Sequence, residues 1–266
     1  MNISFYTATT GAIQQQDRLD VHANNIANIN NFGFRAKQPS FSQLMTGPVT
    51  GIEDTLPRGV GARMEDAATD FRQAGLTGTE RKLDYAINGS GFFALLDPTT
   101  GEISYTRDGS FTLSQMKALE TVQIPVEPDP DDPFAEATTR TELQEIDHWY
   151  LSDGMGRLVL GKDGARIEVD EATAASTDFP PLPIGIFDFI NHDGMRSLGD
   201  NRLVPVEKNG GVGFGSGELV QGFLELSNAD LATEMSKVIE SQRSFQYMLR
   251  MITTSDEIET TVNNLR

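Results

Sequence analysis

A chain of 266 residues with 38% apolar and 23% charged content is long enough for one large core or two modest ones, and reads as an ordinary folded, soluble protein. A net charge of −18 argues against nonspecific nucleic-acid binding, which needs Lys and Arg against phosphates, and the lack of cysteine excludes disulfides, thiolate metal sites and cysteine nucleophiles. No apolar run approaches the ~18 residues that cross a bilayer, and the first residues have neither the basic nor the apolar region of a secretory signal. The expectation is a chain that stays in the cytoplasm or is exported by a route that reads no such signal.

Residues 3 to about 30 read as a helix. Phe5, Ala12, Leu19 and Ile26 recur at a strict spacing of seven, with Gln, Asn and Thr over the other faces. A solvent-facing amphipathic helix would read the same way. Asn25, Asn28 and Asn31 are three apart on one face, and buried amides need partners, so the row suggests bonding to another segment. Asn30, Asn31 and Gly33 supply a helix stop.

Residues 34–75 read as an extended connector with short strands, broken by Pro39, Pro48 and Pro57 and by several glycines. Phe41, Leu44 and Met45 would anchor it. Residues 76–224 read as a β-rich domain of hairpins. In it, Asn88-Gly89 marks a tight turn between two strands, and Asp-Gly pairs at 108, 153, 163 and 193 mark further turns. Residues 120–147 carry nine acids against Arg140, and Pro125, Pro128, Pro130 and Pro133 oppose regular strand over most of the segment. Asp129-Pro-Asp-Asp-Pro has oxygen ligands without the glycine of a calcium loop, so a solvated surface loop is expected there. The glycine-rich run 209–217 lacks the spacing of a nucleotide loop and reads as a flexible joint.

Residues 225–266 read as the second terminal helix, with apolar positions at Leu231, Met235, Val238, Phe245, Leu249, Ile252, Ile258 and Val262. A helix of ~30 residues is about 45 Å long, so its stripe needs a cover, and the N-terminal helix has the matching habit. The expected fold is α+β, with residues 1–33 and 225–266 paired as a coiled coil around a mainly β middle domain. No catalytic constellation is evident. His22, His148 and His192 have no metal-ligand spacing, and Ser90 and Ser216 lie outside any nucleophile elbow. No enzyme activity, cofactor or metal is expected.

Several motifs, in order along the chain, resemble those of bacterial flagellar axial proteins, the rod, hook and hook-associated subunits. The N-terminal signature is Ala23-Asn-Asn-Ile-Ala-Asn-Ile-Asn with Gly33-Phe34-Arg35. In the middle come Ala86-Ile-Asn-Gly-Ser-Gly-Phe-Phe, Thr106-Arg-Asp-Gly-Ser-Phe-Thr-Leu and Ser197-Leu-Gly-Asp-Asn-Arg-Leu-Val-Pro. Gln221-Gly-Phe-Leu-Glu-Leu-Ser-Asn and Ile239-Glu-Ser-Gln-Arg-Ser-Phe form the C-terminal signature. Length and the Thr-Arg-Asp-Gly motif are most similar to the basal-body rod family, its distal-rod members first. Asn31-Phe32 stands where the family usually has Thr before Gly-Phe, and the acidic segment replaces a more compact stretch.

The resemblance implies a structural subunit polymerising into a helical tube that transmits torque to the hook. It further implies export by the flagellar type III apparatus to the basal body, in the periplasm or cell envelope. Implied partners are the chain itself, neighbouring rod and hook proteins and surrounding ring proteins, with no nucleic acid and no membrane insertion. The assembly interface is expected at Phe5, Ala12, Leu19, Asn25, Ile26, Asn28, Leu231, Met235, Val238, Phe245, Leu249, Ile252, Ile258 and Val262. Alternatives are a proximal-rod or hook subunit, or a secreted glycan-binding or hydrolytic β domain with helical arms.

Overall fold

In the computed structural model, residues 3–44, 47–48, 57–58, 61–125, 139–170 and 180–265 are described, with the backbone alone at 3, 43, 47–48, 57–58, 66, 118–125 and 139–146. The chain is α+β: one helix at each end and a β-rich middle. It divides into two compact units, residues 1–77, 189–212 and 225–266 in the first, and residues 78–188 and 213–224 in the second. Residues 189–212 thus group with the terminal segments rather than with the strands around them in sequence.

In the first unit, helix α1 (Ile3–Ala27) and helix α2 (Leu231–Asn264) lie against one another. Asp230 caps α2, its Oδ2 accepting the Thr233 N–H at 2.9 Å. After α1, the chain turns through Asn28 to Gly33, whose φ of 66° is left-handed, and the Gly33 N–H then donates to the Glu225 carbonyl at 2.8 Å. The connector is not merely extended. Lys37–Gln43 and Ala62–Thr69 pair antiparallel into a ribbon that runs alongside α1, where Gln14 accepts the Met64 N–H. Phe41 is exposed on this ribbon, and Met45 lies outside the described residues.

The second unit is built on an antiparallel sheet. Thr139–Ser152 pairs with Thr112–Pro125 on one edge and with Leu158–Val159 and Glu168–Val169 on the other; Leu158–Val159 continues to Phe93–Leu96, and that to Ile103–Thr106. Tyr85, Ile87, Phe93, Leu95, Phe111, Leu151, Val159, Ile167, Ile184 and Ile186 form its core. Phe93 and Phe111 meet edge to face, their centroids 5.1 Å apart.

Three local expectations are corrected here. Asn88-Gly89 does not close a hairpin: Tyr85–Asn88 pairs with Glu218–Gln221, whereas Phe93–Leu96 belongs to the other sheet. Of the Asp-Gly pairs, 153–154 and 163–164 close turns between paired segments, while Asp108-Gly109 and Asp193-Gly194 join strands that pair elsewhere. Lastly, in its described parts, 120–125 and 139–147, the acidic segment is regular strand, belonging to the paired strands 112–125 and 139–152, because each residue finds a ladder partner opposite and Pro125 sits at the strand end. The Asp129 motif lies outside the described residues.

The glycine-rich run also has a different reason from a flexible joint. A Cβ at Gly217 would lie 2.6 Å from the Ser90 carbonyl oxygen, and one at Gly215 would lie 2.6 Å from an Ile186 methyl. Gly217 N–H donates to Ser90 O at 3.1 Å, so glycine permits close backbone approach to the 88–91 turn.

Candidate assembly surface

Two layers of residue organise the terminal helices: a polar node at their base and, above it, a seam in which small and polar side chains of α1 face Val238, Phe245, Met248 and Ile252 among the serines of α2. The node is fully internal. Asn25 has no exposed surface; its Nδ2 donates to the Lys37 carbonyl at 2.8 Å and to Glu234 Oε2 at 3.1 Å, while its Oδ1 accepts the Lys37 N–H at 2.9 Å. His22 Nδ1 lies 2.7 Å from Glu234 Oε2, and Lys237 Nζ 3.0 Å from Oε1. The carboxylate requires a proton on His22 Nδ1, and His22 Nε2 is buried with no hydrogen-bond partner among the described residues. Burial pushes the Glu234 carboxyl up, but hydrogen bonds from Lys237, Asn25 and His22 outweigh it and hold the pKa below the ordinary glutamate value.

Below this node, buried Arg35 pairs with buried Glu225 at 2.8 Å, and Glu225 Oε1 also accepts the Ala74 N–H at 2.9 Å. Asn228 accepts the Ala36 N–H at 2.6 Å and donates to the Asp70 carbonyl at 2.7 Å. Two charged groups and two amides thus tie both termini to the connector. This is where the signature residues Asn25, Arg35 and Asn228 act.

Above the node, the inward face of α2 runs Glu234, Val238, Ser241, Phe245, Met248, Ile252, Ser255, alternating four and three residues apart, all buried or half-buried. Its counterpart on α1 runs Ser4, Ala8, Gly11, Gln15, Arg18, His22, Asn25 in the same alternation. The two rows meet at Ser4 with Ser255 (3.3 Å) and at the node, and at the edge of the seam Arg18 reaches the exposed Glu240 (3.4 Å). A Cβ on Gly11 would come 3.1 Å from Met248 Sδ, so glycine lets the helices approach there.

Of the expected interface residues, Ala12 and Asn25 are buried, and Leu19, Ile26, Asn28, Val238, Phe245 and Ile252 are half-buried. Phe5, Leu231, Met235, Leu249, Ile258 and Val262 are exposed. The apolar stripes therefore do not close on each other: only Val238, Phe245 and Ile252 belong to the seam. Asn28 bonds locally, donating to Asn24 O and accepting from Asn31. Sequence reasoning passed over Ser4, Ala8, Gly11 and His22, and over Glu234, Ser241, Met248 and Ser255. The available signal was their three-four alternation, hidden because apolar residues alone were scored.

What remains is an incomplete surface. Tyr6, Ile13, Met235, Tyr247, Met251, Ile258 and Val262 each keep half or more of their surface exposed, an unusual amount of apolar area along two helices. Among the described residues no cluster of His, Asp and Glu could hold a metal, and no helix is long and apolar enough to cross a membrane.

Comparison with known proteins places the chain in a family. A family model described as "Flagella basal body rod protein" matches residues 5–35, "Flagellar hook protein FlgE/F/G D1 domain" matches residues 86–145, and "Flagellar basal body rod FlgEFG protein C-terminal" matches residues 220–265. The flagellar basal-body rod protein FlgG of Buchnera aphidicola (subsp. Schizaphis graminum) is 31% identical, the alignment covering 96% of each chain. FlgG of Bacillus subtilis is also 31% identical, over 99% of this chain and 98% of its own. FlgF of Rhizobium meliloti is 28% identical over 96% and 94%. The end-to-end relatives and the three matched segments show that the chain belongs to the flagellar basal-body rod protein family.

Proposed function

We propose that the chain is a structural, non-enzymatic subunit of the distal rod, polymerising into a helical tube that transmits torque to the hook. The single observation that carries this is the apolar area left exposed on two helices whose mutual seam is already closed. A head-to-tail contact that does not close on itself produces a helical polymer and would cover such a surface. Full-length similarity to FlgG supports the distal rod in particular.

In this reading, residues 1–33 and 225–266 pair as a coiled coil that forms the inner layer of the rod, with residues 34–75 the connector and residues 76–224 the β-rich domain. The three-four alternation supports the coiled coil. Phe5, Leu19, Leu231, Met235, Leu249, Ile258 and Val262 face neighbouring subunits. Partners are further copies, adjoining rod and hook proteins and surrounding ring proteins, reached after export through the flagellar type III apparatus into the periplasm or cell envelope.

Deleting the gene and imaging basal bodies tests the assignment. Assembly is expected to stop after a proximal rod has formed, without a hook. A complete rod in the deletion strain would refute it.

A further inference from the structure

The seam leaves two sides of α2 uncovered. One residue is about 100° of helical turn, so positions one after a seam residue and positions one before it point to nearly opposite sides. On the first side, Met235, Ile239 and Leu249 follow the seam residues Glu234, Val238 and Met248, and all three are exposed. On the second, Tyr247 and Met251 precede Met248 and Ile252, and Ile258 precedes Glu259, the next position of the same alternation; these three are exposed too.

Charge is sorted between the two sides. The first side is uncharged from Met235 to Thr253, with Gln242 and Gln246 among its apolar residues, and becomes charged at Asp256. The second carries Lys237 and Glu240 near the start of the helix and is uncharged from Ser244 to Thr261. Glu234 and Glu259 belong to the seam row, and Arg243, Arg250 and Glu257 to the back of the helix, opposite it. Each side is therefore neutral and apolar in a different half of α2.

We propose that the second side of α2 in one copy of the chain packs against the first side of α2 in a parallel second copy, displaced along the axis by about twelve residues, roughly 18 Å. The inference rests on the reading of the chain as a rod subunit and specifies the contact between neighbours. Parallel helices standing side by side present opposite sides to one another, and these two sides are opposite and both apolar. Copies that each carry −18 repel, so a close contact is favoured where neither surface is charged. The same charges set the displacement. At twelve residues, Lys237 and Glu240 of one copy fall before the other copy's helix begins at Leu231, and Asp256 of the other falls beyond the end of the first. Tyr247 and Met251 then stand level with Met235 and Ile239, and the overlapping stretches of both sides are neutral throughout. Because the two sides differ, the contact is heterologous and repeats from copy to copy.

The absence of cysteine makes a direct test clean. A full-length chain carrying both Ile239→Cys and Met251→Cys replaces the native one, and isolated basal bodies are treated with a short bismaleimide. A ladder of dimers, trimers and longer products is expected, and chains with either cysteine alone should give none. Products from a single-cysteine chain, a ladder that ends at the dimer, or no product from incorporated double-cysteine chain would overturn the proposal.

A charge placed in the neutral band provides the second arm. Ile239→Glu is expected to lower incorporation about tenfold or more. Met251→Lys added to the same chain meets that acid across the contact and should restore incorporation. Unaltered incorporation of Ile239→Glu, or failure of Met251→Lys to restore it, counts against the contact. Both side chains are exposed, so circular dichroism should be unchanged. If the unmodified chain is absent from basal bodies, the rod assignment fails instead, and the same cross-link on concentrated purified chain still decides the contact.

Discussion

Arg107, Asp108 and Gly109 show what the central motif is for. Arg107 is buried over the Phe92 ring, 5.4 Å from its centroid, and donates to the Gly89 carbonyl at 2.7 Å. A Cβ on Gly109 would stand 1.7 Å from the Tyr85 carbonyl oxygen, a distance no side chain can occupy. The sequence marks Asp-Gly as a turn, but this requirement comes from a strand 24 positions earlier, which only the fold brings near. Asp108 Oδ1 accepts from Ser110 N–H at 3.0 Å and Ser110 Oγ at 2.8 Å. Burial pushes its carboxyl pKa up, and nearby Asp153 and Asp84 add to the rise against the Ser110 bonds. A carboxyl whose folded pKa is raised binds its proton more tightly in the folded state. Stability is therefore highest below the unfolded value and falls as pH rises through the folded one. Asp108→Asn keeps the acceptor, so it should raise the neutral-pH unfolding temperature and flatten its dependence across that window. A variant less stable at neutral pH would contradict this.

At the scale of elements, the helix pair depends on its polar node more than on its stripe. Replacing Asn25 by Ala strips partners from Lys37 N–H, Lys37 O and Glu234, all at a buried site. Each unsatisfied group costs about 1–3 kcal/mol. Asn25→Ala should accordingly lower the urea midpoint followed by helical circular dichroism at 222 nm. The single tryptophan, Trp149, belongs to the second unit and should report little change. Equal loss in both signals would show that the node is not local to the first unit. Asn25 was legible as a residue that must bond another segment. Its partner was not, since Glu234 is 209 positions away and reads as an ordinary first-turn acid.

For the whole molecule, the large apolar side chains of the seam, Val238, Phe245, Met248 and Ile252, are only half-buried, whereas Tyr85 and Phe93 in the core have no exposed surface. The helices of the unassembled chain should then exchange amide hydrogens faster than Tyr85–Asn88 and Phe93–Leu96, and slow markedly after incorporation into the rod. Protection of both helices equal to that of the core strands before assembly would argue that neighbours add nothing.

By itself the sequence determined the terminal helices, the β-rich middle and the family, because helical periodicity, turn residues and short motifs are local and survive without coordinates. Only the tertiary structure decided which faces meet. Seam formation between α1 and α2 is a contact over more than 200 positions, set by small and polar residues together with Val238, Phe245 and Ile252. Likewise the 112–125 strand pairs with 139–152 despite Glu120 and Pro125 in the one and Glu142, Glu145 and Asp147 in the other, because ladder bonds, not local propensity, hold a strand. Because the helices meet along this mixed row, Phe5, Leu231, Met235, Leu249, Ile258 and Val262 stay exposed, available to a neighbour.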